Sequence, residues 1–265
     1  MKGRVLIIAG SDSGGGAGIQ ADIKAVTMLD GFAMTAITAL TVQNTLGVSD
    51  VHAAPIDIIQ AQALAVLSDI GCDAVKTGML GTVSVVEAVA GLLDEAAAPA
   101  VVDPVMVAKG GHSLLQRKAV DAVRSLMVPR AALVTPNAPE AEALTGIEVQ
   151  DLDGQRRAAE ALLELGAAAA LVKGGHVEGE TLIDVLLTPT GETLLEGPRI
   201  DTTSTHGTGC TLASACAAGI AQGLPLEAAV ARAWAYVAEA IRRAPGYGRG
   251  HGPLNHAWPV EDRSE

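Results

Sequence analysis

The segment Asp201-Thr202-Thr203-Ser204-Thr205-His206-Gly207-Thr208-Gly209-Cys210-Thr211-Leu212 passes from a polar turn, through two glycines, into a run of small apolar residues. That run (Leu212, Ala213, Ala215, Cys216, Ala217, Ala218, Ile220, Ala221) has helical character and stops at Gly223. The pattern puts Gly207, Gly209 and Cys210 at a helix N-terminus. Backbone N–H groups there have no intrahelical partner, and the macrodipole places about half a positive charge at that end. Glycine lets a ligand approach the backbone closely. An anion, above all a phosphate, fits such a turn. A tight turn ahead of a buried Ala-rich helix would use the same residues.

Other polar residues fall at the ends of apolar runs. Asp103 closes Ala100-Val101-Val102, where a carboxylate could hold Mg²⁺ or orient a phosphate-bearing partner, or cap the following turn. Lys173 closes Ala170-Leu171-Val172 and precedes Gly174-Gly175-His176, so its ammonium could reach a nucleotide phosphate or stay in solvent. Thr135-Pro136-Asn137-Ala138-Pro139-Glu140 has ordinary helix-opening chemistry, and Asn137 with Glu140 could alternatively bind hydrated Mg²⁺. Gln43 and Asn44 stand just past a predicted strand. The Gln43 amide could read a heteroaromatic ring with mixed donor and acceptor edges, or cap the next element.

The elements that must position these groups alternate. Residues 4–9 read as a buried strand running into Gly10-Ser11-Asp12-Ser13-Gly14-Gly15-Gly16-Ala17-Gly18, and a helix follows over 19–30. That loop is neither a Walker A pattern nor GxGxxG, and it has no Lys; it wraps a small polar ligand or merely connects. Further strands are expected at 33–40, 73–77, 100–102, 131–134 and 170–172, with helices over 56–70, 82–96, 116–127, 153–166 and 225–243. A polar loop, Lys109-Gly110-Gly111-His112-Ser113, precedes the helix at 116. Segments 181–187 and 192–196 read as a hairpin broken at Pro189-Thr190-Gly191. The glycine-rich tail, Gly246 to Gly252, is either mobile or a fixed turn. At least five strand–helix units without a composition break predict one α/β domain, residues 1–265, with a mainly parallel sheet and ligands at its strand C-terminal ends.

Composition narrows the function. Of 265 residues, 49% are hydrophobic but only 2% aromatic, so Val, Leu, Ile and Ala must fill the core. The net charge of −12 and the lack of a basic run argue against nucleic-acid binding. It would also repel a phosphorylated ligand at long range, so any phosphate site must be built locally from Lys, Mg²⁺ and backbone N–H groups. Cys72, Cys210 and Cys216 form no CxxC pair and suggest no disulfide framework. The apolar run after Arg4 is too short for a signal peptide, and no run of ~18 apolar residues suggests a membrane span. A cytoplasmic protein without a membrane partner is expected.

Taken in order, several motifs carry a resemblance. They are Ile8-Ala9-Gly10-Ser11-Asp12 with Gly14 to Asp22, Gln43-Asn44-Thr45, Lys76-Thr77-Gly78-Met79-Leu80, Asp103-Pro104-Val105-Met106, Thr135 to Glu140, Val172 to His176, Thr205 to Thr211, and Gly252-Pro253-Leu254-Asn255-His256. As an ordered set over essentially the whole chain, it resembles the hydroxymethylpyrimidine/phosphomethylpyrimidine kinases of thiamine biosynthesis, with the ribokinase-like fold.

The resemblance implies ATP-dependent phosphorylation of 4-amino-5-hydroxymethyl-2-methylpyrimidine, then of its monophosphate to the diphosphate. It implies that the pyrimidine meets Gly10, Ala17, Asp22, Val42, Gln43, Met79, Val105 and Cys210, with Gln43 and Asp22 as polar readers. ATP would lie near Lys173, Thr205, Gly207, Thr208 and Gly209, and Asp103, Asn137 and Glu140 would arrange Mg²⁺. Gly207, Gly209 and Cys210 would form the catalytic turn. Sugar kinases of this fold typically place an Asp base where Cys210 stands. A helix N-terminus lowers a thiol pKa, so Cys210 is either a base or a positioning and anion-hole residue. The resemblance also suggests a homodimer. Pyridoxine/pyridoxal kinase is the neighbouring alternative. A non-catalytic ligand sensor is the reading from another class, which the presence of Lys173, Glu140 and Cys210 disfavours. A fused partner is not expected at this length.

Overall fold

The computed structural model describes residues 1–106, 117–177 and 179–262. The Lys109–Ser113 loop and the expected start of the helix at 116 lie outside the described residues.

The first strand, β1 (Arg4–Asp12), feeds helix α1 (Gly18–Met28). Next come β2 (Phe32–Asn44), β3 (Gly47–Ala53), α2 (Ile56–Asp69), β4 (Ala74–Thr77), α3 (Val83–Ala96) and β5 (Ala100–Val102). After α4 (Arg117–Ala122) the chain loosens into a π-helical turn at Val123–Met127 and a 3₁₀ turn at Val128–Arg130. Then follow β6 (Ala131–Val134), α5 (Ala138–Thr145), α6 (Leu152–Glu164), β7 (Ala170–Val172), β8 (Thr181–Thr188) and β9 (Gly191–Pro198). The chain ends in α7 (Thr208–Ala221), α8 (Leu226–Arg242) and a short α9 (Trp258–Glu261).

All nine strands join one sheet in the order β3-β2-β1-β4-β5-β6-β7-β8-β9. The pairs from β2 through β7 are parallel, and β3, β8 and β9 add antiparallel edges. The strand period of two sorts the core. Leu6 and Ile8 face a layer containing α2, α3, α5 and α6, whereas Val5, Ile7 and Ala9 face α1, α7 and α8. Helix α7 is buried nearly all round, which its Ala-rich sequence permits. A Cβ on Gly219 would stand 2.6 Å from Ala229 Cβ, so only small residues let α7 and α8 meet this closely.

Most element boundaries agree with the expectations within a few residues, and the departures matter for the site. Strand β1 extends through Gly10 to Asp12, because Ser11 and Asp12 continue pairing with β2 beyond a bulge. Strand β2 runs through Gln43 and Asn44 rather than ending at residue 40, so these are strand residues, paired with the unexpected strand β3. Helix α7 starts at Thr208, a turn ahead of its apolar run. The hairpin turn narrows to Pro189-Thr190, with Gly191 opening β9. The glycine tail turns back onto the site loops: His251 N–H donates to Thr45 O at 2.8 Å, and His206 N–H to Gly252 O at 3.0 Å.

Candidate active site

One groove of about 700 Å³ runs over the C-terminal ends of the parallel strands. Its first end is lined by Gly10, Ala17, Gln43, Met79 and Val105, its middle by Asp103, Asn137, Glu140, Lys173 and the Thr205–Cys210 turn, and its far end by Leu182, Pro198, Ile200, Trp234, Val237 and Ile241.

The central turn is built by backbone necessity. Gly207 caps α7 with φ +81°, and a Cβ there would lie 1.7 Å from Gly16 O. Only glycine fits both the left-handed conformation and the contact. Gly209 lies in the first turn of α7, and a Cβ on it would stand 3.1 Å from Lys173 Nζ and 3.9 Å from Asp103 Oδ2. The first turn of the helix, a lysine and a carboxylate therefore converge on one point.

Lys173 Nζ stands 3.3 Å from Asp103 Oδ1 and 4.0 Å from Glu140 Oε2. Thr135 donates its hydroxyl to Asp103 Oδ1 at 3.2 Å. Burial alone would lower the Lys173 pKa, but Asp103 and Glu140 outweigh it and hold the ammonium charged. Burial pushes the Glu140 carboxyl up, against the pull of Lys173, and the nearby Asp103 adds to the rise. Asn137 and Glu140 form a complete capping box on α5, with both hydrogen bonds at 2.9 Å. Both residues also line the groove, so opening the helix leaves them facing it.

The glycine loop after β1 is wound around one carboxylate. Asp12 accepts from Gly14 N–H at 2.7 Å, Gly16 N–H at 3.0 Å and Ala17 N–H at 2.8 Å. Its Oδ2 also lies 2.8 Å from His206 Nε2. Burial opposes ionisation, but the hydrogen bonds from His206, Ala17 and Gly14 hold the Asp12 carboxyl below its usual range. The loop is thereby pinned onto the turn before α7.

Two expected pyrimidine contacts, the polar reader Asp22 and Val42, are not among the residues that line the groove. Asp22 does not line the groove: it is fully buried, with both oxygens 2.9 Å from Lys76 Nζ and Oδ1 accepting from Ser214 at 2.6 Å. Burial pushes both partners toward neutrality, yet the two-oxygen contact and the Ser214 hydrogen bond fit an ionised pair. Val42 is 59% exposed, because strand alternation turns it away from the side that Thr41 and Gln43 face. At Cys210 burial opposes the lowering expected of a helix N-terminus. Burial pushes the thiol up to about 12, against the pull of Lys76 and of the Gly18 N–H that points at the sulfur, and Asp22 and Asp103 push the same way as burial.

Four groups were quoted in the motifs or passed over without a role. Asp12 and His206 lock the two loops together, and Lys76 lines the groove while its charge rests on Asp22. Asp184 is 4% exposed and accepts from Gly174 N–H at 2.7 Å, directly after Lys173; Trp234 also hydrogen-bonds it. Its one sequence signal is a carboxylate inside the apolar strand Leu182-Ile183-Asp184-Val185.

An open, mainly parallel sheet with a glycine turn facing a lysine across a groove at its strand ends has the ribokinase-like architecture, and the relatives that share it are phosphotransferases. Similarity to known proteins narrows this further. The family model described as phosphomethylpyrimidine kinase matches residues 12–255. The hydroxymethylpyrimidine/phosphomethylpyrimidine kinase of Streptomyces coelicolor is 48% identical over 256 residues, which covers 97% of this chain and 95% of that protein. The thiamine biosynthesis bifunctional protein of Geobacter sulfurreducens is 50% identical over 98% of this chain, which spans 54% of that longer protein. Among solved structures, Bacillus subtilis pyridoxal kinase in an ADP complex superposes with a TM-score of 0.90 at 36% identity, covering 97% of this chain and 98% of that one. The chain belongs to the phosphomethylpyrimidine kinase family.

Proposed function

We propose that this chain, as one kinase domain over residues 1–265, transfers the γ-phosphoryl group of ATP to 4-amino-5-hydroxymethyl-2-methylpyrimidine and then to the resulting monophosphate. The observation that carries the reading is the convergence of Gly209, Lys173 and Asp103 between an end lined by Gln43, Met79 and Val105 and an apolar end of one groove. The family and the 48% identical relative support the substrate. The ADP-bound neighbour supports the nucleotide.

The pyrimidine lies between Met79 and Val105 and meets Gly10, Ala17 and the Gln43 amide. Its hydroxymethyl group points at the Gly207–Cys210 turn. The adenine occupies the apolar end near Trp234 and Val237, and the phosphates pass Thr205, Thr208 and Lys173. A bond forms between the acceptor oxygen and the γ-phosphorus while the bridge to the β-phosphate breaks, releasing ADP. Lys173 and the turn N–H groups stabilise the charge on the moving phosphoryl group. The transition state of such transfers is loose, so the hydroxyl keeps its proton until late and loses it to a phosphoryl oxygen. A neutral Cys210 thiol therefore positions the acceptor rather than deprotonating it. In the second transfer the attacking phosphate oxygen is already anionic.

Among the described residues, no three His, Cys, Asp or Glu side chains cluster to hold a metal. Mg²⁺ needs less: one or two carboxylates, with substrate phosphates and waters completing its shell. Asp103 and Glu140 fit that requirement, with Asn137 beside them, and Mg²⁺ held there would neutralise charge on the β- and γ-phosphates.

Use of ATP, which is held in the cytoplasm, supports a cytoplasmic location. A homodimer is supported by Leu40, Val42 and Leu46, which stand 52%, 59% and 61% exposed on and beside the β2–β3 edge ribbon. Light scattering of the purified chain tests this, and a monomer at micromolar concentration would refute it. Pyridoxal phosphorylation is the second reading, favoured by the 0.90 superposition on a pyridoxal kinase. Incubation with ATP, Mg²⁺ and each acceptor, with products weighed by mass spectrometry, separates the two readings. Pyrimidine mono- and diphosphate are expected. Pyridoxal phosphate alone would overturn the first reading, and ligand binding without turnover would favour a sensor.

A further inference from the structure

The polar reader at the first end of the groove faces a conflict of donors. Gln43 Nε2 lies 3.4 Å from His206 Nε2, and Gln43 Oε1 lies 3.1 Å from the Thr41 hydroxyl. His206 Nε2 is also 2.8 Å from Asp12 Oδ2. Asp12 already accepts three backbone N–H groups, which only a carboxylate does well. At 2.8 Å from that carboxylate, Nε2 must carry its hydrogen. An amide N–H directed at the same atom would set donor against donor. The Thr41 hydroxyl has one hydrogen, and Ser11 O takes it at 2.8 Å. Its oxygen is then an acceptor and needs a donor, not the amide oxygen. Turning the carboxamide by 180° resolves both contacts at once, because its two ends have the same shape.

We propose that Asp12, His206 and Thr41 are positioning residues that fix the Gln43 carboxamide with its oxygen toward His206 and its nitrogen toward Thr41. One N–H and one oxygen lone pair then remain for a ligand, side by side and in a set order. The complement is an aromatic ring nitrogen next to an exocyclic amino group. The aminopyrimidine of the proposed reaction has that edge, whereas pyridoxal has no amino group. This inference takes its substrate from the reading above, but the hydrogen-bond order is independent of it. It also ties the ring-reading side chain to the turn that handles phosphate, since His206 directly precedes Gly207.

The test has two arms. In ¹⁵N-labelled, ligand-free protein, long-range ¹H–¹⁵N spectra read the His206 tautomer. Hydrogen on Nε2, with or without one on Nδ1, is expected; the neutral Nδ1–H tautomer overturns the network whatever the substrate is. The second arm compares kcat/KM for the aminopyrimidine and its 4-deamino analogue in wild type, His206→Gln, His206→Leu and Thr41→Val. Glutamine can donate from nearly the same place as Nε2. The preference for the amino compound should survive within about threefold in His206→Gln. It should fall about tenfold, mainly through KM, in His206→Leu and Thr41→Val, the order of one hydrogen bond. An unchanged preference in the folded Leu and Val variants overturns the proposal. If wild type phosphorylates neither pyrimidine, the functional reading fails, and the tautomer alone decides the network.

Discussion

Lys76 and Asp22 form an ion pair with no solvent exposure on either side chain, directly under the groove that Lys76 helps to line. Breaking one member leaves a buried charge unpaired, which costs about 3–5 kcal/mol. Lys76→Met and Asp22→Asn should each destabilise the fold by that order in urea unfolding. The double variant Lys76→Met with Asp22→Leu should recover much of the loss. Single variants costing under about 1 kcal/mol would contradict the pair's structural role.

The Cys210 thiol, raised to about 12 by burial, stays protonated across the working range. The kcat profile should therefore show no limb assignable to this thiol between about pH 6.5 and 9. Alkylation by iodoacetamide at neutral pH should be slower than for a free cysteine. An ascending limb near pH ~8 that disappears in Cys210→Ala would show a thiolate base instead.

Gly207 and Gly209 should respond oppositely. Gly207→Ala faces both φ +81° and a 1.7 Å clash with Gly16 O, so the loop cannot seat and the variant should lose stability. Gly209→Ala gains helix propensity of roughly 1 kcal/mol. Its Cβ nevertheless presses on Lys173 Nζ, which Asp103 and Glu140 hold in place. A folded protein with kcat reduced about 10- to 100-fold is expected from steady-state assays. Full activity in Gly209→Ala would remove this convergence from the mechanism.

Stability should fall on acidification partly through His256. Burial, with Lys24 adding, lowers its pKa to about 4, and its Nε2 lies 2.9 Å from the Thr211 hydroxyl behind the Gly207 turn. The unfolded chain binds the proton near pH ~6.5 and the folded chain only near 4, so the contribution is full above 6.5 and is lost as pH drops through that window. The shift corresponds to about 3 kcal/mol. Glu140, whose pKa is raised, acts in the opposite sense, so wild type must be compared with His256→Gln. The variant should show a shallower loss between pH 7 and 4, and parallel curves would contradict the assignment.

The sequence made the parallel strands legible because each is a short apolar run closed by a polar residue, as with Ala100–Val102 before Asp103 and Ala170–Val172 before Lys173. The glycine turn at the start of α7 was legible because glycine spacing and an Ala-rich helix are local signals. The fate of Asp22 was not. Its partners, Lys76 and Ser214, are 54 and 192 residues away, and only the folded sheet brings them together. At Cys210 the helix end is a local feature, whereas the burial that raises its pKa is not. Strand β3 left no mark in the sequence because Gly47–Ala53 lies at a sheet edge, where solvent-facing residues carry no apolar alternation. Asp184 and Trp234 act through tertiary contacts that no motif encodes.

On the proposed function, one site carries out two successive transfers. The most direct measurement follows 4-amino-5-hydroxymethyl-2-methylpyrimidine with excess ATP and Mg²⁺ by ³¹P NMR, with Lys173→Met and pyridoxal run beside it. Monophosphate should rise first and diphosphate replace it, both steps should collapse together in Lys173→Met, and pyridoxal should be turned over more slowly. Accumulation that stops at the monophosphate, or a Lys173→Met variant that loses only one of the two steps, would contradict it.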